Sequence, residues 1–219
     1  MRKRAYILLG LVALVLLFFA AGALYLFGPR SLTAENIQTS AFKEGDIVFQ
    51  PSVSDQSLAI QIATRSRYSH CGIIVKKNGQ LYVFEAISTV SFTPLVDWIS
   101  RGVAGHYVLM RLKDPSALTP GVLTAMRKIG KAFAGKKYDV YFKWSDDTMY
   151  CSELVWKIYK RGAGIELAPL RTVRDYNLDN EIVLKKIRER FGNALRLDEK
   201  VIAPVDLMQS PLLEAVSAN

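Results

Sequence analysis

The sequence predicts an α+β domain built around an antiparallel sheet, and three observations predict it. Two β-rich runs, Gly72-Ile73-Ile74-Val75 and Leu81-Tyr82-Val83-Phe84, flank Asn78-Gly79, the strongest short-range signal for a hairpin. Three later stretches, 120–134, 152–161 and 180–191, read as helices from their apolar spacing and stop signals. The chain has 219 residues, half of them apolar and 22% charged. That is enough for one domain with a proper core and short for two, and it is not the balance of a disordered protein.

Taken in order, Glu44-Gly45-Asp46 is a turn leading into the strand Ile47-Val48-Phe49. Leu58 to Ala63 carries apolar residues at 58, 60 and 62, which leaves helix and strand both open. The hairpin follows, with its two-residue turn at Asn78-Gly79, then a strand over Tyr107 to Leu112. Of the three helices, 152–161 is closed by Gly162 and 180–191 by Gly192. No internal repeat or low-complexity tract is present.

The N-terminus has a different composition. Arg2-Lys3-Arg4 precede a run from Ala5 to Phe27 without a single charge, and about 20 such residues suffice to span a bilayer as a helix. A cleaved signal peptide has an apolar region of roughly 7 to 15 residues ending in small ones. Ala21-Gly22-Ala23 imitates that end, but Leu24-Tyr25-Leu26-Phe27 carries the run past it. The expected organisation is an N-terminal membrane anchor or signal segment at 1–30, a linker at 31–40 and one domain at 41–219. With the cations in the cytoplasm, the domain of a bacterial protein would face the periplasm from the inner membrane; cleavage would instead leave it secreted or periplasmic.

Of the net charge of +9, Arg2, Lys3, Arg4 and Arg30 contribute four, so nine less four leaves +5 on the rest. This mild basicity favours anionic head groups or an anionic cell wall over nucleic acid, for which it is a weak signal. Two histidines and two cysteines without zinc-type spacing do not make a metal site. No phosphate-cradling glycine loop is present either. No cofactor is expected.

The chemistry-bearing residues follow from the hairpin. If Asn78 and Gly79 are the two turn residues, Lys77 faces Gln80 and Gly72 faces Glu85. His70 shares a face with Gly72 and becomes the diagonal neighbour of Glu85, within reach of long side chains. Cys71 alternates to the other face, away from both, and reads as core. Cys151 sits at the start of the helix that follows Ser145 to Thr148. Unpaired N–H groups and the helix dipole there stabilise a thiolate and leave donors for an oxyanion. Cys151 as nucleophile, His70 as base and Glu85 as its orienter form one constellation.

These residues lie in Gly45-Asp46-Ile47-Val48-Phe49-Gln50, Tyr68-Ser69-His70-Cys71-Gly72, Tyr82-Val83-Phe84-Glu85-Ala86 and Tyr150-Cys151-Ser152-Glu153-Leu154-Val155. In that order they resemble the YiiX/YebB-like cysteine hydrolases, circularly permuted relatives of the NlpC-type peptidases and of the lecithin retinol acyltransferase group. The resemblance extends to Tyr138-Asp139, Trp144 to Asp147 and Ala203-Pro204. It implies a permuted papain-like fold over 41–219 and a Cys-His-acid site of Cys151, His70 and Glu85. It also implies a role for Tyr138 like that of the tyrosine that helps the oxyanion in related peptidases.

Duller readings stand beside these. His106 reads as structural, Glu153 as a first-turn carboxylate that only suits the dipole, and Asp146 and Asp147 as caps. A Cys71 to Cys151 disulfide is disfavoured by opposite strand faces. The acyl group is open between the wall-peptide amides cut by NlpC-type relatives, which rank first, and the lipid acyl groups handled by the acyltransferase branch. A binding module with a vestigial site is a third reading, against which the intact Cys, His and Glu stand.

Overall fold

The computed structural model describes residues 37–218; the proposed anchor lies outside the described residues. Among these, no helix is long and apolar enough to cross a membrane.

The chain runs through β1 (Ile47–Gln50), α1 (Asp55–Thr64), β2 (His70–Lys77), β3 (Gln80–Ala86), β4 (Val90–Pro94) and α2 (Leu95–Ser100). It continues through β5 (Val108–Leu112), α3 (Pro120–Phe133), α4 (Cys151–Ile158), β6 (Arg171–Thr172), α5 (Glu181–Phe191), β7 (Lys200–Val201), α6 (Pro204–Met208) and β8 (Leu213–Ala218). Six strands form an antiparallel sheet in the order β4-β3-β2-β1-β5-β8, and β6 with β7 form a small second one.

The hairpin register holds. Lys77 pairs with Gln80 and Ile73 with Phe84. Asn78 and Gly79 both take positive φ, 51° and 80°, as a two-residue turn matched to strand twist requires. The ambiguous 58–63 segment is helix α1, started by the Ser54 side chain accepting from the Ser57 N–H. The last long helix also stands as read, with Asn180 capping and Gly192 closing it.

One expectation is corrected. Gly162 does not close α4, which runs into a π-turn over Tyr159–Ala163 and ends at Gly164, φ +72°. Gly162 serves another purpose: a Cβ there would lie 2.6 Å from the Met126 Cα, so the glycine lets the turn press against α3.

The sheet is buried on both faces. On one, Ile47, Phe49, Cys71, Ile73, Phe84 and Ala86 meet Leu154, Val155 and Ile158 of α4 in the main core. On the other, Val48, Ile74, Val83 and Leu109 are fully covered, as are Trp98 and Ile99 of α2. Alternation along β2 therefore sends successive residues to two different helical layers.

Candidate active site

His70 opens β2 and Glu85 ends β3 one residue before its last, on the face covered by α2. The imidazole Nε2 lies 2.5 Å from the Glu85 Oε2, within hydrogen-bond reach as the register required. Glu85 is completely buried and takes three further donors: the Trp98 indole N–H at 3.0 Å on the same oxygen, the Thr93 hydroxyl at 2.5 Å on the other, and the Arg101 guanidinium. Burial alone would raise its pKa, but His70, Thr93 and Arg101 outweigh it and bring the carboxyl down to about 2. It is a fixed anion.

Cys151 is the first residue of α4 and is buried. Tyr150 just before it is extended, its N–H donates to Glu153 Oε2 at 3.4 Å, and its hydroxyl accepts from the Ile202 N–H at 3.2 Å. The Ser152 hydroxyl donates to the Ile202 carbonyl at 2.7 Å. The helix tip is thus tied to the strand-to-helix turn before α6. Its thiol meets the His70 ring, and since Nε2 is occupied by Glu85, Nδ1 is the nitrogen left for it.

The electrostatics are those of an ion pair. Burial would lower the His70 pKa, yet hydrogen bonds to Cys151 and Glu85 raise it to about 9. The Cys151 thiol is held well below its ordinary value, first by a hydrogen bond from the Cys71 thiol and then, against burial, by His70 and the Cys71 backbone N–H.

That contact corrects the reading of Cys71. It does occupy the opposite strand face from His70 and it is fully buried in the core. That face, however, is the one α4 covers, so Cys71 meets Cys151 instead of pointing away from it. Burial and the adjacent thiolate keep the Cys71 thiol protonated. Both cysteines are free, and the argument from opposite strand faces does not separate them.

Tyr138, carried in by resemblance, stands beside the thiol, its pKa raised by burial and by the Cys151 charge, so it remains a phenol. Its oxygen accepts from the Gln56 side-chain N–H at 3.0 Å, and Gln56 Oε1 accepts from Arg190 at 2.5 Å. This relay from α5 through α1 escaped the sequence reading, as did Thr93 on β4, Trp98 in α2 and Arg101 at its C-terminal end, because no local pattern marks any of them.

Two bland readings also change. Asp146 does not cap a helix: it pairs with Lys157 at 2.8 Å and Arg161 at 2.6 Å, Arg161 being the main cause of its lowered pKa. Glu153 is fully buried against Lys157, 2.7 Å away, and burial pushes it up to about 7. His106 sits with its Nε2 3.1 Å from the Tyr68 hydroxyl. Cys151 and Tyr138 line a mostly apolar cavity of about 210 Å³, together with residues of α1, α5 and the 194–204 segment.

A helix-tip thiol, an imidazole and a buried carboxylate across an antiparallel sheet are the parts of a papain-like thiol hydrolase, with the histidine strand preceding the cysteine helix. The chain belongs to the family described as permuted papain-like amidase enzyme, YaeF/YiiX, C92 family, whose model matches residues 41–217. It is accordingly a hydrolase of the cysteine peptidase/amidase type. It is 40% identical over 173 residues to the uncharacterized protein YiiX of Escherichia coli strain K12, covering 79% of this chain and 85% of that one. A crystal structure titled metalloprotein yiiX from Escherichia coli O157:H7 matches with a TM-score of 0.78 at 40% identity, over 81% of this chain and 97% of that one.

Proposed function

We propose that the chain hydrolyses an amide through a thioester at Cys151, on the outer side of the bacterial inner membrane. The observation that carries this is the Glu85–His70–Cys151 alignment, which stores an imidazolium beside a thiolate in a buried site.

The Sγ thiolate adds to the carbonyl carbon, and the C=O π pair moves to oxygen. That oxyanion is met by the first-turn N–H groups of α4, which have no preceding helical carbonyls, and by the Tyr138 hydroxyl, whose proton is free to point forward because its oxygen accepts from Gln56. Collapse breaks the C–N bond while His70 Nδ1 gives its proton to the departing nitrogen. A water then loses a proton to neutral His70 and adds to the thioester; the second collapse expels the thiolate and releases the acid. The ion pair is restored. Glu85 keeps its charge throughout and orients the ring.

The solved relative's title calls that protein a metalloprotein. Among the described residues here, no three or more His, Cys, Asp or Glu side chains stand together as a metal-holding group, and no step above is routed through a metal. The membrane placement rests on the uncharged run from Ala5 to Phe27; recovery of the full chain in the soluble fraction of lysed cells would reverse it. The chemistry is tested by hydrolysis of N-acyl aminocoumarin amides by the full chain. Cys151→Ala should abolish it, and activity surviving that change would sink the proposal.

A further inference from the structure

We propose that Cys71 is the resolving thiol of an oxidative modification site: a hydroperoxide converts Cys151 to a sulfenic acid, and Cys71 closes it into an intrachain disulfide that switches the enzyme off reversibly. The inference goes beyond the amide reading and rests only on Cys151 being the reactive thiol.

The two sulfurs are neighbours because the tip of α4 packs on one face of β2. Cys71 lies on that face, and both its thiol and its backbone N–H donate to the Cys151 sulfur. A residue that reaches one sulfur with its own sulfur and its own nitrogen stands against it along the whole side chain. Closing from hydrogen-bond contact to a bond of about 2.05 Å asks for side-chain rotation, not unfolding. The chain has only these two cysteines, so any disulfide formed within it is this one. Access to them is unequal. Cys151 lines the apolar cavity, and Cys71, with no exposed surface, does not. A small oxidant entering the cavity therefore meets the Cys151 thiolate before the second thiol.

With hydrogen peroxide the thiolate sulfur attacks one oxygen: an S–O bond forms, the O–O bond breaks, and the departing hydroxide takes the proton from His70 Nδ1 and leaves as water. The sulfur is oxidised by two electrons and the peroxide is reduced. Burial first, and then the Cys151 charge, keep the Cys71 thiol protonated. Sulfenylation removes that charge, so the opposition to Cys71 as a nucleophile falls only once Cys151 has been oxidised. The Cys71 sulfur then attacks the sulfenyl sulfur; the S–S bond forms, the S–O bond breaks, and the Cys71 proton leaves with that oxygen as a second water. The product has no thiolate and a neutral His70, so no acyl transfer can begin, and a dithiol reductant reverses it by exchange. Outside the cytoplasm, in the placement proposed for this domain, no glutathione pool rescues a sulfenic acid, and an unresolved one goes on to the irreversible sulfinic acid.

The test treats the full chain, in detergent micelles near neutral pH, with hydrogen peroxide, alkylates the remaining thiols under denaturing conditions and maps the peptides without reduction. The expected product is a crosslinked pair of peptides joining Cys71 to Cys151, two hydrogens lighter than the reduced pair. Amide hydrolysis should be lost with it and rise again at least about fivefold on adding dithiothreitol. Cys71→Ala should also lose activity to peroxide, but its Cys151 should carry two or three added oxygens, and dithiothreitol should restore less than about a tenth of the activity that variant had before treatment. Cys71→Ser should behave alike if the alanine variant folds poorly. A wild-type map in which Cys71 stays free while Cys151 is sulfinic overturns the proposal, as does wild-type recovery no better than that of both variants. The map needs no turnover, so the two readings fail separately. A crosslink in a chain that cleaves no amide upholds the modification site and counts against the amide reading, whereas amide cleavage with no crosslink overturns the modification site alone.

Discussion

At Glu85 a carboxylate with no exposed surface is held by four donors, and removing its charge affects both stability and chemistry. Glu85→Gln keeps the shape but leaves Arg101 and His70 facing an uncharged amide, and should cost roughly 3 kcal/mol of stability, read as a lowered melting temperature. Without the anion the His70 pKa should fall from about 9 towards the ordinary imidazole range, with kcat/KM down at least about 100-fold. A variant as stable and as active as the wild type would show that the alignment is incidental. Cys71 supplies the second prediction at this scale. Its thiol donates to the Cys151 thiolate, so Cys71→Ala should move the iodoacetamide reactivity of Cys151 to higher pH, whereas Cys151→Ala should remove the reactive thiol altogether. Loss of the fast thiol in Cys71→Ala alone would reassign the nucleophile. The pairing of His70 with Glu85 was legible because hairpin register follows from a two-residue turn. The meeting of Cys71 with Cys151 was not, because strand alternation says which face a residue takes and not which helix covers that face.

Elements set the geometry that single residues cannot. The Arg190–Gln56–Tyr138 relay joins α5, α1 and the loop before α4, and it spans 134 residues between Gln56 and Arg190; no local pattern could reveal it. Gln56→Leu removes the donor that fixes the Tyr138 oxygen and should lower kcat about tenfold or more with little change in KM, and Tyr138→Phe should lower it by roughly 100-fold. An unchanged kcat in both would remove Tyr138 from the oxyanion site. Gly162 belongs to this scale too. In sequence it reads as a helix stop, since glycine after an apolar-periodic run commonly is one; in the fold it lets the π-turn lie directly against Met126 of α3. Gly162→Ala should destabilise by roughly 1 to 3 kcal/mol by forcing the two apart, measurable by thermal unfolding. The fold class and the three long helices were legible from periodicity and caps, while the π-turn was not, because it depends on the packing of α3 against α4.

Across the whole molecule, two buried carboxylates tie stability to pH with opposite signs. Glu85, lowered to about 2 from an ordinary 4.5, adds stability that is present above pH 4.5 and is lost as the pH falls towards 2. Glu153, raised to about 7 by burial against the opposing pull of Lys157, binds its proton more tightly in the folded chain than in the unfolded one. Its contribution is therefore fully present below pH 4.5 and is lost as the pH rises through 7. In the His70–Cys151 pair the two shifts oppose each other, because the proton taken up by the imidazole is the one given up by the thiol, so the pair adds less to the slope than either group would alone. Comparing Glu153→Gln with the wild type isolates the Glu153 contribution, since all other titrations are common to both. Glutamine imitates the protonated acid, so the variant should gain stability relative to the wild type as the pH rises from about 4.5 to 7.5. The gain should reach up to roughly 3 kcal/mol, superimposed on a pH-independent offset from the lost Lys157 contact. Melting temperatures of both proteins across that range measure it directly. A difference that stays constant with pH would mean that Glu153 is ionised in the folded protein at all these values, and that Lys157 and the network through Asp146 and Arg161 fully offset the cost of burying its charge.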